Sequence, residues 1–183
     1  LSFGLPSTAL YIVVAVTAAP ALVQAGITPL AAHFFVFYFG AMSNVTPPVA
    51  LAAYTGAGIA NSDPMQTSWT ALKLALPGFI IPFIIAYDPI LLLDTSDGPI
   101  DYLRLLIVVV TAVIGVYALA VGLGKFIKSK LTIIEQAAMI AVAFLLITTN
   151  QMFDVIGIVL FVAVMLIHFI RSRKKVEAGN GAN

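Results

Sequence analysis

Four stretches of this chain, residues 71–87, 103–123, 131–148 and 152–170, approach the ~20 apolar residues that an α-helix needs to cross a bilayer. With 61% hydrophobic and only 9% charged residues, against about 25% charged in a soluble domain, the chain cannot cover a surface with polar atoms. Lipid is its natural solvent. The reading is an all-α, polytopic integral membrane protein. Pro77, Gly78 and Pro82 predict a kink in the first stretch. Thr149-Asn150-Gln151 is short enough to make a tight helical hairpin of the last two. The polar tail 171–183 is expected to be disordered.

The same composition removes several classes of function. There are no cysteines and only two histidines, His33 and His168, far apart in sequence. That argues against a disulfide scaffold, a thiolate or zinc cluster and a cysteine nucleophile. No basic patch is large enough for nucleic acid. No nucleophile–base pair or phosphate loop is present, so neither an enzyme nor an organic cofactor is expected. The chain begins at Leu1 inside the motif Phe3-Gly4-Leu5-Pro6-Ser7-Thr8 and is read as the C-terminal fragment of a longer protein.

The first 60 residues depart from the pattern of continuous spans. Residues 8–25 make one apolar arm, whereas 30–43 and 47–60 are each too short to cross. Between these lies Ser43-Asn44-Val45-Thr46-Pro47-Pro48. Proline lacks the N–H and disfavours helix in the residue before it, yet it suits the first position of a new helix. The expected structure is a discontinuous helix, ending near Ser43 and restarting at Pro47 with Thr46 as N-cap.

Charges in the connections set an orientation. Lys125, Lys128 and Lys130 form one basic loop, and Arg171, Arg173, Lys174 and Lys175 a second two spans later. Both are assigned to the cytoplasm together with residues 61–70 and the C-terminus. The acidic connection 88–101 then lies outside. On this path the Gly4–Thr8 motif and the Ser43–Pro48 break meet at mid-depth. The arm 8–25 would cover ~27 Å, so it must tilt, bend at Pro20 or protrude for its tip to stop there. A complete span is the competing reading.

Non-helical backbone at membrane depth is tolerated only when buried in protein or lining a wet cavity. Secondary transporters use such breaks as sites, with carbonyls holding cations and helix N-termini facing anions. The carbonyls of residues 40–44 and the Ser43 and Thr46 hydroxyls are candidate oxygen ligands. The N–H groups after Thr46 suit a carboxylate, and Gly4, Ser7 and Thr8 repeat the design at the arm's tip. Other residues have simpler readings. His33 and the aromatic run around it read as packing or interface, Glu135 and Asp154 as interfacial or capping residues, Trp69 and Lys73 as anchors. Asp88 and Asp101 read as solvated loop charges.

Phe35-Val36-Phe37-Tyr38-Phe39-Gly40, Thr46-Pro47-Pro48-Val49-Ala50-Leu51-Ala52-Ala53-Tyr54, Ala57-Gly58-Ile59-Ala60, Asp63-Pro64-Met65 and Tyr87-Asp88-Pro89 together carry a family resemblance. They resemble the DctM-like large permease subunit of tripartite ATP-independent periplasmic (TRAP) transporters, most closely the fused-permease type. Gly4-Leu5-Pro6-Ser7-Thr8 is similar to that family's hairpin-tip motif. The resemblance implies Na⁺-driven uptake of an organic acid or other carboxylate, delivered by a periplasmic binding protein (of the TAXI type in many fused members). It also implies an elevator-type motion. Carried onto this chain, it makes Gly4, Ser7, Thr8, Gly40, Ser43 and Thr46 candidate Na⁺-site residues, with Asn44, Thr46 and Pro47 facing substrate. Residues 1–93 would then be the second-repeat part of the transport domain and 94–170 the C-terminal transmembrane helices. The alternatives are a citrate or dicarboxylate carrier that needs no binding protein, and a non-transporting membrane scaffold subunit.

Overall fold

The structure, a computed structural model, describes residues 7–94, 98–127, 129–148 and 151–180. Among these the only regular elements are helices: α1 (Ser7–Gln24), α2 (Pro29–Met42), α3 (Leu51–Ile59), α4 (Pro64–Ala75), α5 (Ile81–Tyr87), α6 (Tyr102–Gly124), α7 (Ile133–Ile147) and α8 (Gln151–Asn180). Short 3₁₀ segments occupy Ser43–Val45, Leu76–Ile80 and Pro89–Leu92. Three stretches among the described residues are long and apolar enough to cross a membrane: Pro64–Tyr87, Tyr102–Gly124 and Met152–Ser172. α7, expected as a fourth, is a shorter apolar helix, as is the arm Thr8–Gln24. α8 continues past residue 170 to Asn180, over most of the stretch expected to be an unstructured tail. The chain divides into two compact units, Leu1–Leu105 and Leu106–Asn183.

In the first unit α1 and α2 form an antiparallel hairpin. Gly26 makes its turn possible: at φ +94 it takes a conformation that costs other residues a Cβ clash. Ile27 N–H then reaches Leu22 O at 3.1 Å and Gly26 N–H reaches Val23 O at 3.0 Å, the paired bonds that close a helix C-terminus. Pro29, which needs no acceptor for an N–H it lacks, starts α2. Small side chains let the two helices approach, with Ala15, Ala19, Ala32 and Val36 buried between them. The aromatic face of α2 packs onto the next span. Phe35 and Phe39 meet Phe83 edge-on at 5.2 and 5.9 Å, and Phe39 meets Phe79 at 5.7 Å.

The α4–α5 span starts earlier than its apolar run suggests. Asp63 caps α4 by accepting from Gln66 N–H at 2.7 Å, and Pro64 fills the first turn. Residues 64–70, expected in a cytoplasmic connection, are therefore helical. The kink predicted at Pro77, Gly78 and Pro82 appears as the 3₁₀ segment Leu76–Ile80. Tyr38 on α2 holds it by donating to Gly78 O at 2.9 Å.

The second unit is built on close helix approach. A Cβ added to Gly122 of α6 would stand 2.9 Å from Ile140 Cγ1 and 3.3 Å from Gln136 O of α7. One added to Gly157 of α8 would stand 2.7 Å from Leu146 Cδ2. Without a hydrophobic drive in lipid, contact between helices depends on such small-residue approaches.

Candidate functional site

The discontinuity expected after Ser43 is present, and polar side chains make it. As α2 runs out of N–H donors for its last carbonyls, three nearby polar side chains turn back to supply them. Ser43 Oγ donates to Gly40 O at 2.7 Å, Asn44 Nδ2 to Ala41 O at 3.1 Å, and Thr46 Oγ1 to Met42 O at 2.9 Å. Thr46 is extended (φ −102, ψ 120), the Pro47–Pro48 peptide is cis, and Ala50 is left-handed at φ 35, ψ 39. Tyr54 steadies the crossing by donating its hydroxyl to Pro48 O at 2.9 Å.

Two details correct the expectation. The second half-helix begins at Leu51 rather than Pro47, because two adjacent prolines and the left-handed Ala50 postpone helical geometry. Thr46 is therefore not its N-cap; the hydroxyl closes the end of α2 instead. Ala50 takes the cap position, and no side chain there bonds to the first N–H groups of α3.

The hairpin register sets the level of the break. Gly40 faces Leu10, whose Cδ2 would lie 3.6 Å from a Cβ placed on residue 40. Thr8 lies two residues before Leu10 and Ser43 three after Gly40, about 3 and 4.5 Å along antiparallel axes. The start of α1 thus stands level with the break, within one helical turn. Thr8 is exposed and Ser7 opens α1, while Gly4 and Pro6 lie outside the described residues. Ser43, Asn44, Thr46 and Pro47 are half-buried. An apolar groove of about 490 Å³ runs from Leu22 and Phe35 to Gly40 and Ser43, so one end of the break opens onto it. His33 is exposed on α2, with Nδ1 2.9 Å from Tyr11 Oη.

Two charged groupings were not found by sequence reasoning. Asp88, read as a solvated loop charge, is 2% exposed. It pairs with Arg104 at 2.7 Å and accepts from Ile90 N–H at 3.2 Å. Asp101, read the same way, is exposed and bonds Leu103 and Arg104 N–H at the start of α6. In the second unit, Glu135 does cap α7, in a reciprocal box with Thr132. It is also buried against His168 and Arg171 of α8. Arg171 reaches Glu135 Oε2 at 2.9 Å and Lys130 O at 2.9 Å. His168, fully buried, places Nδ1 3.6 Å from Glu135 Oε1 and Nε2 3.4 Å from Ser129 Oγ.

The sequence model of the family described as "Tripartite ATP-independent periplasmic transporter, DctM component" matches residues 1–95, more than half of the 183 residues. The chain belongs to this family. No curated protein and no solved structure matches it. The DctM match covers the α1–α2 hairpin, the break, α3 and the α4–α5 span, close to the extent of the resemblance read from motifs. Membership makes this a multi-pass membrane component of a TRAP-type secondary transporter, not an enzyme. DctM components work with a periplasmic binding protein and a small membrane subunit. The Glu135–His168–Arg171 cluster lies beyond the matched residues.

Proposed function

We propose that this DctM permease drives uptake of an organic acid or other carboxylate with a Na⁺ gradient, by an elevator-type displacement of the domain that carries the break. The observation behind this reading is the loss of α-helix between Met42 and Leu51 in an apolar unit, level with the start of α1. A hydroxyl that donates its hydrogen to a carbonyl keeps oxygen lone pairs, and each such carbonyl has a second lone pair. Ser43, Thr46 and the Gly40 and Met42 carbonyls therefore still suit a hard cation, which takes oxygen ligands. Gly4, Ser7 and Thr8 are the proposed complement from the arm. The carboxylate would sit beside Asn44, Thr46 and Pro47 and reach the uncapped N–H groups at the start of α3. Under the fused-permease reading, cargo arrives on a TAXI-type binding protein.

The test is uptake by the full protein in proteoliposomes with its binding protein, with and without a Na⁺ gradient. Thr46→Ala should raise the Na⁺ concentration for half-maximal uptake roughly tenfold, the effect of about 1.4 kcal/mol from one lost ligand. Na⁺ dependence identical to the unaltered protein removes the ion-site assignment. Uptake that needs no binding protein replaces the tripartite reading with a self-sufficient carboxylate carrier.

A further inference from the structure

Tyr38 and Met42 lie one turn apart on α2, on the same face, and both reach Gly78. A Cβ added to Gly78 would stand 3.1 Å from Met42 Cε and 3.2 Å from Tyr38 Oη, so the missing side chain lets both tips settle on the kink. The Gly78 carbonyl is open to them for a local reason. Pro82, four residues on, has no N–H to give it, and the 3₁₀ turn brings Ile81 N–H to that oxygen in its place. The Tyr38 hydroxyl then donates to the same oxygen at 2.9 Å, which has a second lone pair to receive it. On the opposite face, about 200° round the helix, Gly40 lies against Leu10 of α1.

We propose that the Tyr38–Gly78 bond is a positioning contact for the ion site. It fixes the rotation of the last turn of α2, and with it the Gly40 and Met42 carbonyls offered to the cation. This rests on the Na⁺ reading of the break. Met42 links the two places: its side chain lies on Gly78, and its carbonyl accepts from Thr46 Oγ1 at 2.9 Å. α2 ends at Met42 and α3 does not begin until Leu51, so no further α-helical turn holds these carbonyls in line. Leu10 on one side and the kink on the other hold them instead. Binding groups must stay within about 0.5 Å of their working positions, which a helix end free to turn does not maintain. Tyr38→Phe separates this role from packing, because the ring stays and Gly78 O keeps Ile81 N–H.

The probe is Na⁺ alone. The melting temperature of the full protein in detergent is followed as NaCl replaces KCl at constant ionic strength, since an ion that binds only the folded state raises it. Tyr38→Phe should need roughly three to ten times more Na⁺ than the unaltered protein for the same rise, the effect of one hydrogen bond. Gly78→Ala, whose Cβ displaces both tips, should shift the same way, and carries the test if Tyr38→Phe does not fold. Added to Thr46→Ala, Tyr38→Phe should shift the requirement by less than it does alone, because both act on the Met42 carbonyl. A merely structural bond would lower the melting temperature in KCl and leave the Na⁺ requirement where it was. That result, alongside a shift in Thr46→Ala, overturns the positioning role and spares the ion site. Effects that multiply in full in the double variant overturn it too. No rise with Na⁺ in the unaltered protein overturns both.

Discussion

Ala50 is a non-glycine residue in left-handed backbone at φ 35 with no exposed surface. Such a conformation costs an L-residue roughly 1–2 kcal/mol, and here it turns the chain out of the double proline into α3. A β-branched side chain would meet both the backbone penalty and a filled site. Ala50→Val should lower stability by about 2–4 kcal/mol, read as a drop in melting temperature in detergent. Ala50→Gly should cost nothing measurable, since the relieved strain offsets glycine's greater freedom in the unfolded chain. Asp88 offers a second test at this scale. Arg104→Ala would leave a buried carboxylate whose remaining partner among the described residues is the Ile90 N–H. Arg104's side chain is 60% exposed, so water already screens the pair, and the loss should be near 1–2 kcal/mol rather than that of a fully buried ion pair. Asp88→Asn should cost less, because it removes the buried charge together with its partner's role.

At the scale of elements, helix ends and helix contacts have different origins. The end of α2 is a local matter: Ser43, Asn44 and Thr46 sit three or four residues from the carbonyls they cap, and their spacing is visible in the sequence. The approach of α6 to α7 depends on Gly122, whose missing Cβ leaves room for Ile140 Cγ1 and for the backbone of residues 136 and 140. Backbone cannot step aside as a flexible side-chain tip can. Gly122→Val should therefore destabilise the second unit by about 2–3 kcal/mol, measured by thermal denaturation in detergent. Gly122→Ala should lose less, because alanine regains up to about 1 kcal/mol of helix propensity.

On the scale of the whole molecule, the chain pairs a DctM unit containing a broken helix with a helical hairpin outside the family match. The broken helix and the close packing of the second unit make separable demands. Thr46→Ala should change Na⁺ dependence without altering the stability of the second unit, and Gly122→Val should do the reverse, as measured by uptake and thermal denaturation on the same preparations. The sequence alone determined the solvent, the helical class, the kink at Pro77 and the interruption after Ser43. Each follows from apolar run length or from what proline and short polar side chains do to their own neighbourhood. Tertiary structure decided where α3 restarts, that Asp88 is buried, and that Glu135 meets His168. The last contact shows why. Leu146 opposes Gly157 across the hairpin, and the same antiparallel register carries Glu135 to His168. Residues 33 positions apart gain that proximity only once two helices have chosen which faces to pack, and no local pattern encodes the choice.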